Sequence, residues 1–136
     1  MNWKLIFLLS LFGLAMGICT VFWISQSMEV YFWVAVLIIT AWLIARRAPG
    51  KYFLHGFFLG LANCVWVVAA HVYWYATYLG NHPQMVEMMR KWPLADHPRR
   101  AMVLFGPLYG IASGIVIGLI ALLFATLMGK KKTAAA

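Results

Sequence analysis

The side chains that could do metal or acid–base chemistry are few in this sequence. Its 136 residues include four histidines and three acidic residues. Neutral imidazole is a common metal ligand, so the histidines are candidate haem or metal ligands. His55 and His71 occur in one apolar segment, and their spacing corresponds to about 24 Å along a helix. They therefore cannot both face one haem iron.

A second set of candidate ligands lies in a polar stretch near the middle of the chain. It contains His82, Glu87, Asp96 and His97. These side chains could meet around Zn²⁺ or act as acids and bases, but their spacing matches no compact ligand motif. No Ser/His/Asp spacing, phosphate-binding glycine loop or metalloprotease motif accompanies them. We therefore expect no metal site, no cofactor and no enzymatic activity.

Four long apolar segments must position these side chains. Hydrophobic residues make up 65% of the sequence, and a helix needs about 20 mostly apolar residues to cross a hydrocarbon layer of roughly 30 Å. Because unpaired backbone groups are costly in lipid, apolar runs of this length span as helices. The sequence predicts an all-α fold, an integral membrane four-helix bundle in a single domain over residues 1–136. Its helices cover about 3–24, 28–45, 53–79 and 101–128.

The distribution of basic residues predicts the orientation of these helices. Lys and Arg near helix ends are retained on the cytoplasmic side. With both termini inside, seven basic residues are cytoplasmic (Lys4, Arg46, Arg47, Lys51 and Lys130–Lys132) and four are external (Arg90, Lys91, Arg99 and Arg100). We therefore expect a multi-pass protein with both termini in the cytoplasm. The net charge of +8 is then explained by topology and attraction to membrane lipids, not by binding of nucleic acid.

The segment 80–100 is the only long connection between the apolar segments. Pro83 suits the first position of a helix, and Met85, Met89 and Trp92 would fall on one side of it, with charged residues opposite. This pattern predicts a short helix on the outer membrane surface, with Met85, Met89 and Trp92 as its interfacial contacts, ended by Pro93. An irregular loop is the alternative.

Glycines recur at every fourth position in three of the apolar segments. In lipid, helices associate through close packing, and small residues at this spacing let two backbones approach each other. The rows are therefore predicted to receive a neighbouring helix, either of this chain or of another, or else a lipid or cofactor tail. They comprise Gly13 and Gly17, Gly56 and Gly60, and Gly106, Gly110, Gly114 and Gly118.

Asn63 is the most informative polar residue in the apolar segments. It lies about 15 Å along the third helix, near the bilayer midplane, and on the same face as Gly56 and Gly60. A hydrogen bond to another helix, worth about 1 kcal/mol, would explain it. The alternative is contact with a ligand or ion. Loss of stability on replacing Asn63 by Val would indicate the hydrogen bond, and unchanged stability with loss of a ligand would indicate the contact.

The second half of the chain has a recognisable order of features. An aromatic-ended helix is followed by YLGNHPQMVEMMRKW and then by a glycine-rich helix that ends MGKKK. This order resembles an uncharacterised family of bacterial four-helix membrane proteins, the domain of unknown function 4199. The resemblance covers roughly the last two helices. It implies location in a bacterial inner (cytoplasmic) membrane but implies no activity and no site residues.

Two classes of function fit these features. The first is a non-catalytic accessory or structural subunit that docks on other membrane protein subunits, or on itself, through its glycine-lined helix faces. It explains the absence of catalytic groups. The second is a small homo-oligomeric channel or transporter with a pathway past Asn63, Thr40 and Ser10. The lack of charge inside the apolar segments argues against this second class.

Overall fold

The computed structural model describes residues 1–129 and is all-α. Its helices are α1 (Trp3–Phe22), α2 (Gln26–Arg47), α3 (Tyr52–Tyr73), α4 (Tyr75–Asn81), α5 (Pro83–Met89) and α6 (Pro98–Leu127). No strand occurs within residues 1–129. Four of the helices, α1, α2, α3 and α6, are long and apolar enough to cross a membrane. The predicted fold, four long helices with a short helix between the third and fourth, is confirmed.

Helix α3 occupies the centre of the bundle. It packs most extensively against α6 and α1, and α2 completes the bundle by packing against α6 and, to a smaller extent, α1. One end of the bundle carries α4, α5 and the turn between α1 and α2, and we call it the α4–α5 end. The other, the terminal end, carries the start of α1 and the loop between α2 and α3. Consecutive helices are not always the closest in space, since α2 packs more extensively against α6 than against α3, which follows it in the chain.

The terminal end is closely packed and fixed by hydrogen bonds. Ile44, Leu59 and Ile117 are completely buried there. The side chain of Asn2 accepts a hydrogen bond from the Leu5 amide at 3.0 Å and so caps α1. The Asn2 amide donates to His55 Nε2 at 2.9 Å, while His55 Nδ1 donates to the Lys51 carbonyl at 3.0 Å. His55 Nε2 therefore joins the start of α1 to α3, while the Nδ1 contact fixes the ring against the start of its own helix.

Glycines set the distance between the central helices. A Cβ atom added to Gly60 would overlap the backbone of Gly114, and one added to Gly56 would overlap the backbone of Gly118. The two backbones of α3 and α6 thus touch directly, which only glycine permits.

The remaining predicted glycines also contact this same chain. Gly13 and Gly17 of α1 lie against Asn63 and Val67 of α3, while Gly106 and Gly110 of α6 meet side chains of α3. The glycine rows therefore pack against helices of this same chain. Docking of a partner through them stays a prediction.

The third apolar segment differs from the predicted single helix over 53–79. Regular α-helix stops at Tyr73 and resumes at Tyr75, with Trp74 between them. The bend lets the Tyr78 ring fold back onto His71, at 3.9 Å between ring centroids. It also brings Asn81 Nδ2 to the Val21 carbonyl of α1, 2.7 Å away. The contact between Asn81 and Val21 joins residues far apart in the chain, so the sequence around Trp74 does not by itself predict the bend.

The outside of the bundle is apolar along its length. Val65, Leu104 and Leu119 are among many large side chains that are more than half exposed. Such a surface suits hydrocarbon surroundings. The orientation relative to a membrane stays a prediction, and Lys130, Lys131 and Lys132, on which it partly depends, lie outside the described residues.

We expect Gly60→Ala to lower the free energy of unfolding by about 2 kcal/mol or more, because the added methyl group must push α6 away from α3. Thermal unfolding of the purified protein, followed by circular dichroism, measures the change. Gly80→Ala is the matched control, since an added Cβ there has no neighbouring atom within 4 Å. Equal stability of Gly60→Ala and the control would contradict the close contact.

Candidate functional site

A cavity of about 490 Å³ lies within the half of the bundle nearest the α4–α5 end. Side chains of α2, α3 and α6 form its walls, and α5 covers part of it. We call it the α2–α3–α6 cavity. Its lining is mostly apolar and includes a group of sulfur-containing side chains: Cys64, Met85, Met88, Met89 and Met102. Methionine is flexible and polarisable, so this wall can adapt to ligands of different shape.

Asn63 lines the cavity, together with Ser113. The side chain of Asn63 is 4% exposed, and its Oδ1 atom has no hydrogen-bond partner within residues 1–129. It packs over Gly13 of α1, which offers backbone but no polar side chain. An unpaired buried amide oxygen is costly. Within residues 1–129 this oxygen therefore receives no hydrogen bond from another helix, and because it is buried against Gly13 of α1 it is not the atom that a molecule in the cavity would contact. Both interpretations of Asn63, the hydrogen bond between helices and the ligand contact, stay predictions.

The other polar residues of the predicted pathway do not line this cavity. Ser10 donates to the Phe7 carbonyl at 2.7 Å and accepts from Trp66 Nε1 at 3.0 Å. Thr40 donates to the Val36 carbonyl at 2.7 Å. Their hydroxyl groups are satisfied by nearby helix carbonyls, which is the usual arrangement for such residues in apolar helices. Of the three pathway residues, only Asn63 reaches the cavity.

Two histidines and a tyrosine form a buried aromatic column beside the cavity. The Tyr78 ring lies between His71, at 3.9 Å, and His82, at 4.4 Å. His71 Nε2 is 2.8 Å from the hydroxyl oxygen of Thr20. His82 Nδ1 donates to the Tyr78 carbonyl at 2.9 Å. We call these three residues the His–Tyr–His column, and it joins α3 to the start of α5.

Glu29 connects this column to α2. One carboxylate oxygen, Oε1, accepts a hydrogen bond from Trp33 Nε1 at 3.1 Å. The other, Oε2, lies 3.4 Å from His82 Nε2, and the His82 side chain is completely buried. Both Glu29 and Tyr78 line the cavity. Burial raises the pKa of the Tyr78 phenol above its ordinary value, and the negative charges of Glu29 and ionised Tyr109 raise it further. The phenol therefore stays protonated and can donate a hydrogen bond.

Helix α5 begins at Pro83, as the sequence predicts, but its apolar side turns toward the bundle. Met89 is 5% exposed and belongs to a buried cluster with Val21 and Met102, against which Met85 and Trp92 pack. These predicted interfacial residues thus contact the protein itself. The opposite side carries an exposed ion pair between Glu87 and Arg90, at 3.1 Å.

The four candidate residues of the 80–100 segment do not come together in one site. His82 is buried in the column, whereas Glu87, Asp96 and His97 are exposed. Residues 1–129 contain no group of three or more His, Cys, Asp or Glu side chains placed to hold a metal ion.

Sequence reasoning missed the role of Glu29. Its place in the first turn of α2 indicated only a favourable interaction with the helix N-terminus. The pairing of Glu29 with Trp33, four residues later, was a local signal that both point to one side of α2. The contact with His82 had no such signal, because it depends on how α4 folds back.

No family model, no curated protein and no solved structure matches this chain. The resemblance to the domain of unknown function 4199 therefore stays a prediction.

Replacement of Asn63 by Leu, which has similar size, tests whether the amide stabilises the fold. We expect an unchanged or higher unfolding temperature in extensively detergent-washed protein, because the variant removes an unpaired buried oxygen that costs about 1–3 kcal/mol. Thr20→Val serves as the comparison. It removes the contact with His71 and should lower the free energy of unfolding by about 1 kcal/mol. A larger loss in Asn63→Leu than in Thr20→Val would show that the amide is structural.

Proposed function

We propose that this chain is a non-catalytic membrane protein that binds a small, mostly apolar molecule in the α2–α3–α6 cavity. The observation that carries the proposal is the cavity itself, which has a volume of about 490 Å³ and mostly apolar walls that include the polar side chains of Asn63 and Ser113. Ligand sites in proteins have volumes of roughly 300–1,000 Å³, apolar walls and a few polar groups that fix orientation. The α2–α3–α6 cavity has each of these properties.

The packing of the bundle supports binding more than passage through the protein. Protein interiors are close-packed, and voids larger than a water molecule are few. The terminal end follows this rule, with Ile44, Leu59 and Ile117 completely buried. The α2–α3–α6 cavity does not continue past these side chains, since none of them lines it. A pocket closed at one end suits a bound molecule better than a continuous channel.

A chain with this binding function does not have to associate with other subunits through its glycine faces. The glycine faces are occupied by helices of the same chain, so association with other subunits would have to use the exposed apolar surface. Binding in the cavity needs no partner protein. Membrane lipid is the surrounding medium from which an apolar molecule would enter.

Native mass spectrometry of the untagged protein, extracted gently from its own membrane, tests the proposal. We expect a non-covalently bound small molecule on the wild-type chain and its loss in Ser113→Leu, because Ser113 is half-buried in the cavity wall and leucine fills space there. Ser113→Ala is the control, since it removes the hydroxyl group without filling the cavity, and it should keep the molecule. An adduct that survives Ser113→Leu in the folded protein, or no adduct on wild type, would contradict the proposal.

A further inference from the structure

The cavity lining has one formal charge, and it is negative. Among the residues that line the cavity, Glu29 is the only Asp, Glu, Lys or Arg. Its side chain is 21% exposed, so the carboxylate is partly removed from water. A partly desolvated carboxylate acts more strongly on a nearby charge than one in bulk water does. The cavity should therefore repel anions and attract cations.

One oxygen of this carboxylate lacks a neutral hydrogen-bond donor. His82 Nδ1 donates to the Tyr78 carbonyl, 2.9 Å away, so a neutral His82 has its proton on Nδ1 and a bare lone pair on Nε2. That lone pair faces Glu29 Oε2 at 3.4 Å. Beside a neutral His82, Glu29 Oε2 therefore faces a hydrogen-bond acceptor and receives no hydrogen bond from the ring. A cation in the cavity would supply the positive charge that this oxygen lacks.

Aromatic rings stand in the same walls as the carboxylate. Trp33, Trp92 and Tyr109 all line the cavity, and Trp33 Nε1 binds Glu29 directly. The face of an aromatic ring attracts organic cations, best when the cation is poorly hydrated. Tyr78 does not serve this purpose, because its two faces are covered by His71 and His82. Three rings and one carboxylate therefore offer complementary negative potential around an apolar space.

The basic side chains of the α4–α5 end do not neutralise this potential from within the cavity. Arg90 pairs with Glu87 at 3.1 Å on the exposed side of α5. The guanidinium group of Arg99 lies over the Tyr75 ring, 5.1 Å from its centroid. Neither of these arginines lines the cavity, nor do Lys91 and Arg100.

We infer that the ligand class of this cavity is a lipophilic cation, a molecule with an apolar body and a delocalised or poorly hydrated positive charge, held by Glu29 and the rings of Trp33, Trp92 and Tyr109. The inference rests on the proposed binding function and adds the sign of the ligand's charge. The methionine wall would contact the apolar body, and the carboxylate would select the charge.

Two ions of matched shape and opposite charge provide the test. Tetraphenylphosphonium and tetraphenylborate differ mainly in the sign of their charge. Each is titrated at pH 8 into the full chain in nanodiscs of zwitterionic lipid, with empty nanodiscs as background. We expect Glu29→Gln to weaken phosphonium binding about tenfold or more and to leave borate binding unchanged or stronger. Glu87→Gln, which removes an exposed carboxylate outside the cavity, should leave the affinity for phosphonium unchanged.

A second pair of variants covers the case in which Glu29→Gln does not fold. Tyr109 is 62% exposed, so its replacement should be tolerated. We expect Tyr109→Leu to weaken phosphonium binding several-fold and Tyr109→Phe, which keeps the ring, to preserve it.

The outcomes separate this inference from the proposed function. Equal phosphonium affinity in wild type and folded Glu29→Gln, or no phosphonium binding by wild type, would overturn the cation inference. In that case, a loss of binding of borate, or of the molecule seen by native mass spectrometry, in Ser113→Leu would show that the cavity binds ligands of another charge. If Ser113→Leu changes the binding of no molecule, the proposed binding function itself is wrong.

Discussion

The direct contact between the backbones of α3 and α6 is the constraint on which the rest of the bundle depends. Gly56 and Gly60 meet Gly118 and Gly114 without side chains between them. In lipid, exclusion of water contributes little to helix association, so close backbone packing must supply much of the stability. Because α1 packs on the other side of α3 and α2 packs on α6, the position of each outer helix follows from this central pair.

The same two helices also form two walls of the α2–α3–α6 cavity. Near the terminal end their backbones touch, whereas toward the α4–α5 end Gly106 and Gly110 meet the side chains of Val68 and Cys64 instead. All four of these residues line the α2–α3–α6 cavity. A pair of helices that is joined tightly at one end and through side chains at the other can keep an open pocket without losing its main contact.

Polar groups in this protein fall into two sets with different consequences. At the terminal end, the hydrogen bonds of Asn2 and His55 satisfy one another and the helix start. In the cavity wall, Glu29 Oε2 faces a ring nitrogen that cannot donate when the imidazole is neutral. Beneath the wall, Asn63 Oδ1 lies against Gly13 of α1 and has no partner within residues 1–129. Unsatisfied buried groups are expected where a protein binds something, since stability is given up there for recognition. This contrast supports the proposal of a binding site at the α4–α5 end.

Local features of the sequence were sufficient for the elements of the fold. Long apolar runs predict the four helices, Pro83 predicts the start of α5, and the four-residue glycine spacing predicts close packing. They were not sufficient for the bend at Trp74, for the inward side of α5 or for the contact between Glu29 and His82. In a helix surrounded by lipid, the face toward lipid and the face toward another helix are both apolar, so residue type does not show which side is buried.

The sequence by itself therefore determined the number of long helices and the residues that allow close approach, because these depend on interactions within a few turns. Only the tertiary structure decided which helix fills each glycine row, that Asn63 lies in the wall of a cavity, and that one carboxylate stands beside three aromatic rings. Those facts depend on the adjacency of helices far apart in the chain, and adjacency follows from the fit of whole surfaces.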